Sequence, residues 1–430
     1  MTGAPPFADI ASLWQDSALP GPVLPPLAGD LHADVAIIGG GYTGLSTARY
    51  LAQAGLQPVV LEASRIGWGA SGRNGGVVSG KFRIGFAEMA RRWGLDTARR
   101  MHDLGIEAIE HVGETVAALD IAGADYRPTG SLRCAHTPGA LAALRAEADW
   151  LAGTLGDRAI SMLDADAMAA ETGSGDFTGG MLNRHGGVIH PLNYVRGLAR
   201  ALAGQGVPVL AETPVTALRR SRDGVELVTP GGVVRARQAV IATNAYSDLT
   251  PATAPVRKRL IPFRSAMIAT EVLDRSPLVH DRSYTETRRM MRWFRMAQGR
   301  LVYGGRGAFG KTDSDAAFAS LERAMRRQFP QLAGVAVTHR WSGLVAMTMD
   351  SLPHLGRLDD RVTFALGYNG TGVALASMIG RHVARLVQGL SVDAGLLGSQ
   401  PLRPVPLYPV REPAVRLVAG YYQFLDAIGR

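Results

Sequence analysis

The sequence predicts an α/β protein in which a Rossmann-like dinucleotide-binding domain is interrupted by a second, α+β domain built on an antiparallel sheet. Three observations predict it. Residues 33–62 read strand, glycine turn, helix and strand (ADVAIIGGGYTGLSTARYLAQAGLQPVVLE). Two later apolar runs, Ala239–Tyr246 and Phe364–Val373, each pass from a buried-strand pattern into a polar or glycine turn. Between them, residues 256–340 repeat strand patterns joined by short connections.

The first element carries most of the information. Val35, Ala36, Ile37 and Ile38 form a continuous apolar run, as a strand buried on both faces of a parallel sheet requires. Gly39, Gly41 and Gly44 follow at GxGxxG spacing about Tyr42 and Thr43, and Thr43–Ala54 carries Leu45, Ala48 and Leu51 at helical spacing. Gly39 permits the tight turn, Gly41 lets a pyrophosphate approach the backbone, and Gly44 lets the helix lie close to the strand. The second strand, Gln57–Leu61, ends on Glu62, where a carboxylate can hold a ribose hydroxyl pair. An acid at this place argues against a 2′-phosphate such as NADP carries.

The next stretch decides which dinucleotide is expected. A nicotinamide enzyme proceeds from Glu62 to another helix and strand, whereas this chain runs through Ala63, Ser64, Arg65, Ile66, Gly67, Trp68, Gly69, Ala70, Ser71, Gly72, Arg73, Asn74, Gly75 and Gly76. Such a run can lay backbone amides and the Ser71 and Asn74 side chains along an extended cofactor. GASGRNGG, after GGGYTGL and VVLEA, resembles the D-amino-acid oxidase and glycine oxidase flavoprotein family, and is most similar to its gamma-glutamylputrescine oxidoreductase group.

The resemblance extends along the chain and implies FAD, bound non-covalently, since no cysteine stands where some sarcosine oxidases attach their flavin. It implies a substrate domain of the glutathione-reductase-like/D-amino-acid oxidase type over residues 81–184 and 256–340. The FAD-binding domain is then 1–80, 185–255 and 341–400, with 401–430 a tail and helix. Ser12-Leu13-Trp14 matches an arm that opens family members, with Trp14 as a packed anchor. Val215 falls where a backbone amide meets the adenine; Thr243, Asn244 and Ala245 pass beneath the cofactor; Gly343, Gly367, Asn369, Gly370, Thr371, Gly372 and Val373 surround the flavin ring. Tyr246, Arg295, Tyr303 and Asp350 are the expected substrate-side residues, with Arg292 and Arg306 as further carboxylate clamps.

Helical spacing recurs over Met101–Ile121, Leu141–Leu155, Pro191–Ala203, Ala316–Phe329, Ala374–Leu390 and Val415–Ile428, the last expected to dock. Strand patterns cover Tyr126–Ala135, Val207–Leu210, Glu212–Arg219, Val225–Val228, Val233–Ala236, Leu260–Thr270, Met290–Met296 and Arg300–Gly305. His102 and His111 read as solvated or capping residues, His190 as a cap before Pro191, and Cys134 as a small core hydrophobe.

Composition excludes other classes. The net charge is +9, but the lysines are only Lys81, Lys258 and Lys311, and arginine is scattered without interleaved aromatics, so nucleic-acid binding is not expected. A single cysteine allows no internal disulfide or cysteine metal site and fits a reducing cytoplasm. No metal is expected. No run approaches the length of a membrane span, and the first residues show no basic segment before an apolar core, so a cytoplasmic location is expected.

What the family resemblance implies chemically is hydride transfer from the carbon beside an amine nitrogen to flavin N5, giving an imine that water hydrolyses. Such chemistry asks the protein to hold the C–H in place and to stabilise charge, not to supply a general base. The substrate is a small amine or amino acid, with gamma-glutamylputrescine, N-methyl amino acids and cyclic imino acids all open; the acceptor is oxygen or another electron carrier. A flavin-binding subunit of a sarcosine-oxidase-like complex is the alternative from another class.

Overall fold

Ile38 delivers the chain into Gly39, and that strand, Leu31–Ile38, is the centre of the first sheet. A computed structural model describes residues 11–308 and 315–427. Five parallel strands lie in the order 362–366, 232–241, 31–38, 58–61 and 209–210, with His354–Arg357 antiparallel on one edge. Val35–Ile38 and Pro58–Leu61 are fully buried, because helices cover one face and a second layer of chain the other. The covering helices are Tyr42–Gln53, Pro191–Gly204 and Gly372–Val387. Pro191 occupies the first turn of its helix, where its missing N–H costs nothing, and His190 caps that helix through Nδ1, 3.2 Å from the Asn193 amide.

The second sheet has eight strands in the order 337–347, 261–270, 300–308, 292–297, 283–286, 131–135, 179–183 and 160–163. All neighbours are antiparallel except 283–286 with 131–135. Arg292–Ala297 and Arg300–Ala308 form a hairpin through Gln298-Gly299, both at positive φ, the geometry that matches strand twist. One face of the sheet packs on the helix Asp315–Gln328, where Tyr284, Phe294 and Tyr303 stack. The other face turns toward the first domain.

Several elements differ from the sequence expectations. The substrate sheet continues to Met347, past the expected boundary at 340, because the whole of Val337–Met347 pairs with Ile261–Thr270. The long helix Leu95–Ala118, assigned by sequence to the substrate domain, buries Met101, Leu104, Ala108 and Val112 in the same core as the dinucleotide helix. Glu212–Arg219 is a strand only over Ala217–Arg220, since Glu212 takes a left-handed conformation. On the C-terminal helix, Arg411–Ala427, two of the residues expected to dock, Leu417 and Tyr421, are 77% and 58% exposed, and the side chains of Phe424 and Leu425 lie outside the described ones. Ile428 lies outside the described residues. Among those residues no helix is long and apolar enough to cross a membrane.

His111 is a further difference: it is buried, not solvated, with Nε2 2.8 Å from the Tyr50 hydroxyl. His382 lies beside it, also buried, and neither ring nitrogen has a partner among the described residues. Burial, reinforced by Arg381 and Arg49, pulls His111 down to about 3, and burial with Arg381 pulls His382 to about 4. Both are therefore neutral in the fold but gain protons more readily when unfolded, so stability is complete above the unfolded value near 6.5 and falls as pH drops toward 4. Chemical denaturation at pH 7 and pH 5 should show the difference, and His382→Leu should shrink it by about 2 kcal/mol.

Candidate active site between the two sheets

A cavity of about 720 Å³ runs between the sheets, lined from both domains. From the first sheet and its loops it is lined by Glu62, Ala63 and Val215, by Gly39–Thr43, Gly69–Ser71 and Arg73–Gly75, and by Thr243, Asn244 and Asn369–Val373. The second sheet lines it through Phe263, Ser265, Met267, Thr285, Trp293 and Gly343–Val345.

The turn at the head of the dinucleotide helix is built by contact distances that only glycine meets. Gly39 has φ +109°, and a Cβ on Gly44 would lie 1.9 Å from the Gly39 carbonyl oxygen. Gly41 is less tightly held, since its Cβ would meet only the Ser71 hydroxyl, at 2.9 Å. Glu62 closes the turn: its Oε2 accepts from the Gly40 amide at 2.8 Å and its Oε1 from the Ser64 amide at 3.0 Å. Burial raises the Glu62 carboxyl above its ordinary range, while the Gly40, Ser64 and Ala63 amides pull it back. The helix Gly372–Val387 brings a second N-terminus to the cavity, preceded by Gly370 at φ +90°. Two helix N-termini and a buried acid lining one cavity fit a dinucleotide that carries a large ring system.

The glycine run works differently from its sequence reading. The Ser71 hydroxyl accepts from the Tyr42 amide at 3.2 Å, and Asn74 donates to the Ala70 and Ser71 carbonyls while accepting from the Gly76 amide at 2.8 Å. These side chains hold the loop's shape. Tyr42 joins them, donating to the Ser71 and Pro191 carbonyls at 2.7 and 3.0 Å. Gly44, Gly72 and Gly76 do not line the cavity but allow close backbone approach: a Cβ on Gly72 would sit 2.0 Å from the Gly67 oxygen, and one on Gly76 2.1 Å from the Ile189 oxygen. Gly367 and Ala245 also sit behind the lining, and Arg65 is exposed. Asn244 ties its loop to the next strand by accepting from the Gly367 amide at 2.9 Å.

Three of the four expected substrate-side residues are corrected by their positions. Tyr303 is fully buried on the far face of its strand, donating to Gln328 at 2.6 Å, because alternation along Arg300–Ala308 turns it into the helix-facing core. Asp350 pairs with His354 at 3.0 Å outside the cavity lining. Arg295 is only 4% exposed and is consumed by backbone: its Nη1 donates to the carbonyls of Gly76 at 2.7 Å, Ile189 at 3.0 Å and Gly75 at 3.3 Å, while its guanidinium covers Trp14. Burial lowers its pKa to about 10. Tyr246 does line the cavity, beside Gly69, where its hydroxyl accepts from the Leu344 amide at 3.3 Å. Arg292 is drawn away toward Glu286, 3.7 Å distant, and the Arg306 side chain lies outside the described part.

Sequence reading missed the wall opposite. Strand register puts Met267, Gly304, Trp293, Thr285 and Arg133 in one row across the cavity-facing side. Trp293 lies across Gly304, where a Cβ would meet its ring at 2.4 Å. The signal was present, since Trp293 alternates with Phe294 in the strand, but which face turned inward needed the register. Trp14, 0% exposed, packs edge-on against Trp341 and donates to the Asn74 carbonyl at 2.8 Å, anchoring the arm to the glycine run. Cys134 is buried in the sheet's core. Among the described residues no cluster of histidine, cysteine or acids could hold a metal.

The fold and the site together define a two-domain dinucleotide-binding oxidoreductase whose second sheet covers the cofactor. The FAD dependent oxidoreductase (DAO) family model matches residues 34–386, so the chain belongs to that family and FAD is its cofactor. It is 35% identical to gamma-glutamylputrescine oxidoreductase of Escherichia coli K12 over 93% of this chain and 94% of that protein. It is 26% identical to glycine oxidase of Bacillus licheniformis over 83% and 93%. The crystal structure of glycine oxidase from Geobacillus kaustophilus superposes with a TM-score of 0.74 at 20% identity, covering 86% of this chain and all of that one.

Arg295 as a strut makes a sharp prediction. Arg295→Met takes from the Gly75 and Ile189 carbonyls the guanidinium donor they have here, while Gly76 keeps the Ile189 amide, and should destabilise the protein by about 2–4 kcal/mol. The melting temperature and the retained flavin should both fall. A substrate-clamp role would instead raise KM and leave both unchanged.

Proposed function

We propose that this protein oxidises the C–N bond of an amine or amino acid at the junction of the two sheets. The observation that carries the reading is one cavity lined both by the glycine turns of the first sheet and by an aromatic, partly charged wall of the second. FAD bound there supplies the two-electron acceptor for a hydride equivalent from the carbon beside the amine nitrogen. Glu62 holds the ribose, the Gly39–Thr43 turn receives the pyrophosphate, and the Gly372 helix N-terminus offers positive potential to the ring end.

The remaining work belongs to the wall. Trp293, Met267 and Phe263 hold the carbon in place and exclude water, which orients the breaking C–H bond. Tyr246, kept protonated by a pKa that burial raises, braces the Leu344 backbone and thereby the strand that faces the cradle. No side chain is assigned as a general base; the substrate enters as the neutral amine, so reduction accelerates with pH until that amine is deprotonated. Water then converts the resulting imine to a carbonyl and an amine or ammonia, and oxygen or a carrier accepts the electrons. Lys81, Arg83, Arg133, Arg288 and Arg289 outnumber Glu147 and Glu286 around the cavity, which favours a substrate bearing a carboxylate. The name of the Escherichia coli relative points the same way, to a glutamylated diamine. The FAD is held without a covalent bond to cysteine, the lone thiol of Cys134 being buried in the sheet's core.

The test is the visible spectrum of the purified protein under anaerobic conditions, before and after each of a panel of amines. Bleaching by an amine supports the reading, and the speed of recolouring in air separates oxidase from dehydrogenase. A flavin band that no amine bleaches overturns it.

A further inference from the structure

Beyond the row of Met267 and Trp293, the cavity meets a wall made by an ion pair. Arg133 Nη1 lies 2.5 and 2.6 Å from the two carboxylate oxygens of Glu147, which stands on the helix Pro138–Trp150. Both side chains are about one-third exposed, and both line two spaces at once: the main cavity and a smaller one of about 90 Å³ behind it. The pair is thus a partition, and its opposite charges stand side by side at the end of the space.

Two observations say that this end is built for a ligand. Glu147 occupies only one corner of the guanidinium, and among the described residues Arg133 Nε and Nη2 have no acceptor. Ser283, on the neighbouring strand and in register with Ser131, is 1% exposed, lines the smaller space and has no hydrogen-bond partner for its hydroxyl. An unmet hydroxyl in a buried polar space is costly unless something fills it. Of the other titratable groups lining it, Lys81 is engaged elsewhere in the protein, and His102 and His185 both turn to Asp157, at 3.0 and 3.6 Å. What the partition can exchange is its own pairing, a carboxylate for Glu147 at the Arg133 fork and an ammonium for Arg133 at Glu147.

We propose that Arg133, Glu147 and Ser283 form a distal subsite for a zwitterionic α-amino-acid head, so that the substrate is an ω-amine carrying that head at its far end. The inference rests on the amine-oxidation reading for the near end. Spacing supports it: Arg133 is two strands from Trp293 through Thr285, roughly 10 Å at about 4.8 Å per strand. About eight bonds of a saturated chain, each projecting roughly 1.25 Å, span that gap. A γ-glutamyl amide of a short diamine has this length and both charges; glycine or sarcosine would leave the subsite empty.

Isothermal titration calorimetry of the FAD-loaded enzyme with the γ-butylamide of L-glutamate, a glutamine butylated on its side-chain nitrogen, tests the subsite without turnover, since this probe has the head and the chain but no terminal amine. The unmodified enzyme should bind it at least tenfold more tightly than N-butylacetamide, which lacks the head. Arg133→Gln and Glu147→Gln should each abolish that preference while the flavin band and melting temperature stay as they were, and Arg133→Lys should restore part of it. Equal binding of the two probes, or a preference that survives Arg133→Gln, overturns the proposal. In parallel, anaerobic flavin reduction by γ-glutamylputrescine should exceed that by N-acetylputrescine at least tenfold in kcat/KM, and Arg133→Gln should remove the difference through KM. If both amines reduce the flavin equally, the subsite is wrong and amine oxidation stands; if the glutamine probe binds with the stated preference but no amine bleaches the flavin, amine oxidation is wrong and the subsite stands.

Discussion

Everything in this site depends on one close approach, the first turn of the dinucleotide helix seated on the carbonyl of Gly39. With no Cβ on Gly44, helix Tyr42–Gln53 comes near enough to its strand for its free amides to face the cavity. From that contact the rest is positioned in turn. Tyr42 reaches the glycine run through Ser71, the run reaches Pro191 and Ile189, and Glu62 ties the second strand back to Gly40. A methyl group at residue 44 would shift all of them together.

Arg295 extends this chain of constraint into the other domain. It is a buried cation with no carboxylate among its described hydrogen-bond partners, held by four backbone carbonyls, that of Met296 included, and an indole face. A buried charge is tolerable when oxygens replace its water, and this one fixes the cradle against the second sheet. The space between the sheets is therefore set by a polar joint as well as by apolar packing. A rigid gap suits a reaction that depends on holding one C–H bond at a defined place.

The nucleotide half was legible because its signals are local. The glycines, the acid at the end of the second strand and the strand-to-helix turns each declare a backbone shape within a few residues, and Trp14 announced itself as an anchor. The substrate half was not, because its meaning lies in register between distant segments. Arg295, Tyr303 and Asp350 are residue types that often contact substrates, and nothing in their neighbourhoods distinguishes a clamp from a strut. Tyr303 faces the core and Trp293 the cavity only because of how their strands pair. Arg133 and Glu147 were still less visible, as their partnership depends on a helix folding over a strand edge. His111 misled for a related reason: a polar residue amid helical spacing reads as solvated until another helix covers it.

The order in which the chain supplies the second sheet has a consequence for how the protein is made. Strand Ser131–Ala135 must wait for Ser283–Glu286, more than a hundred residues later, before its open edge is paired in parallel. During synthesis that edge and its neighbours stand as an unfinished half-sheet, while two further strands of the nucleotide sheet, 209–210 and 232–241, are still being added. Cofactor capture comes later again, since Gly370–Val373 leave the ribosome after every strand of the covering sheet. Flavin supply therefore acts as a late ligand for a nearly completed chain, and shortage of it leaves behind a full-length protein with its two sheets formed and an open seam between them.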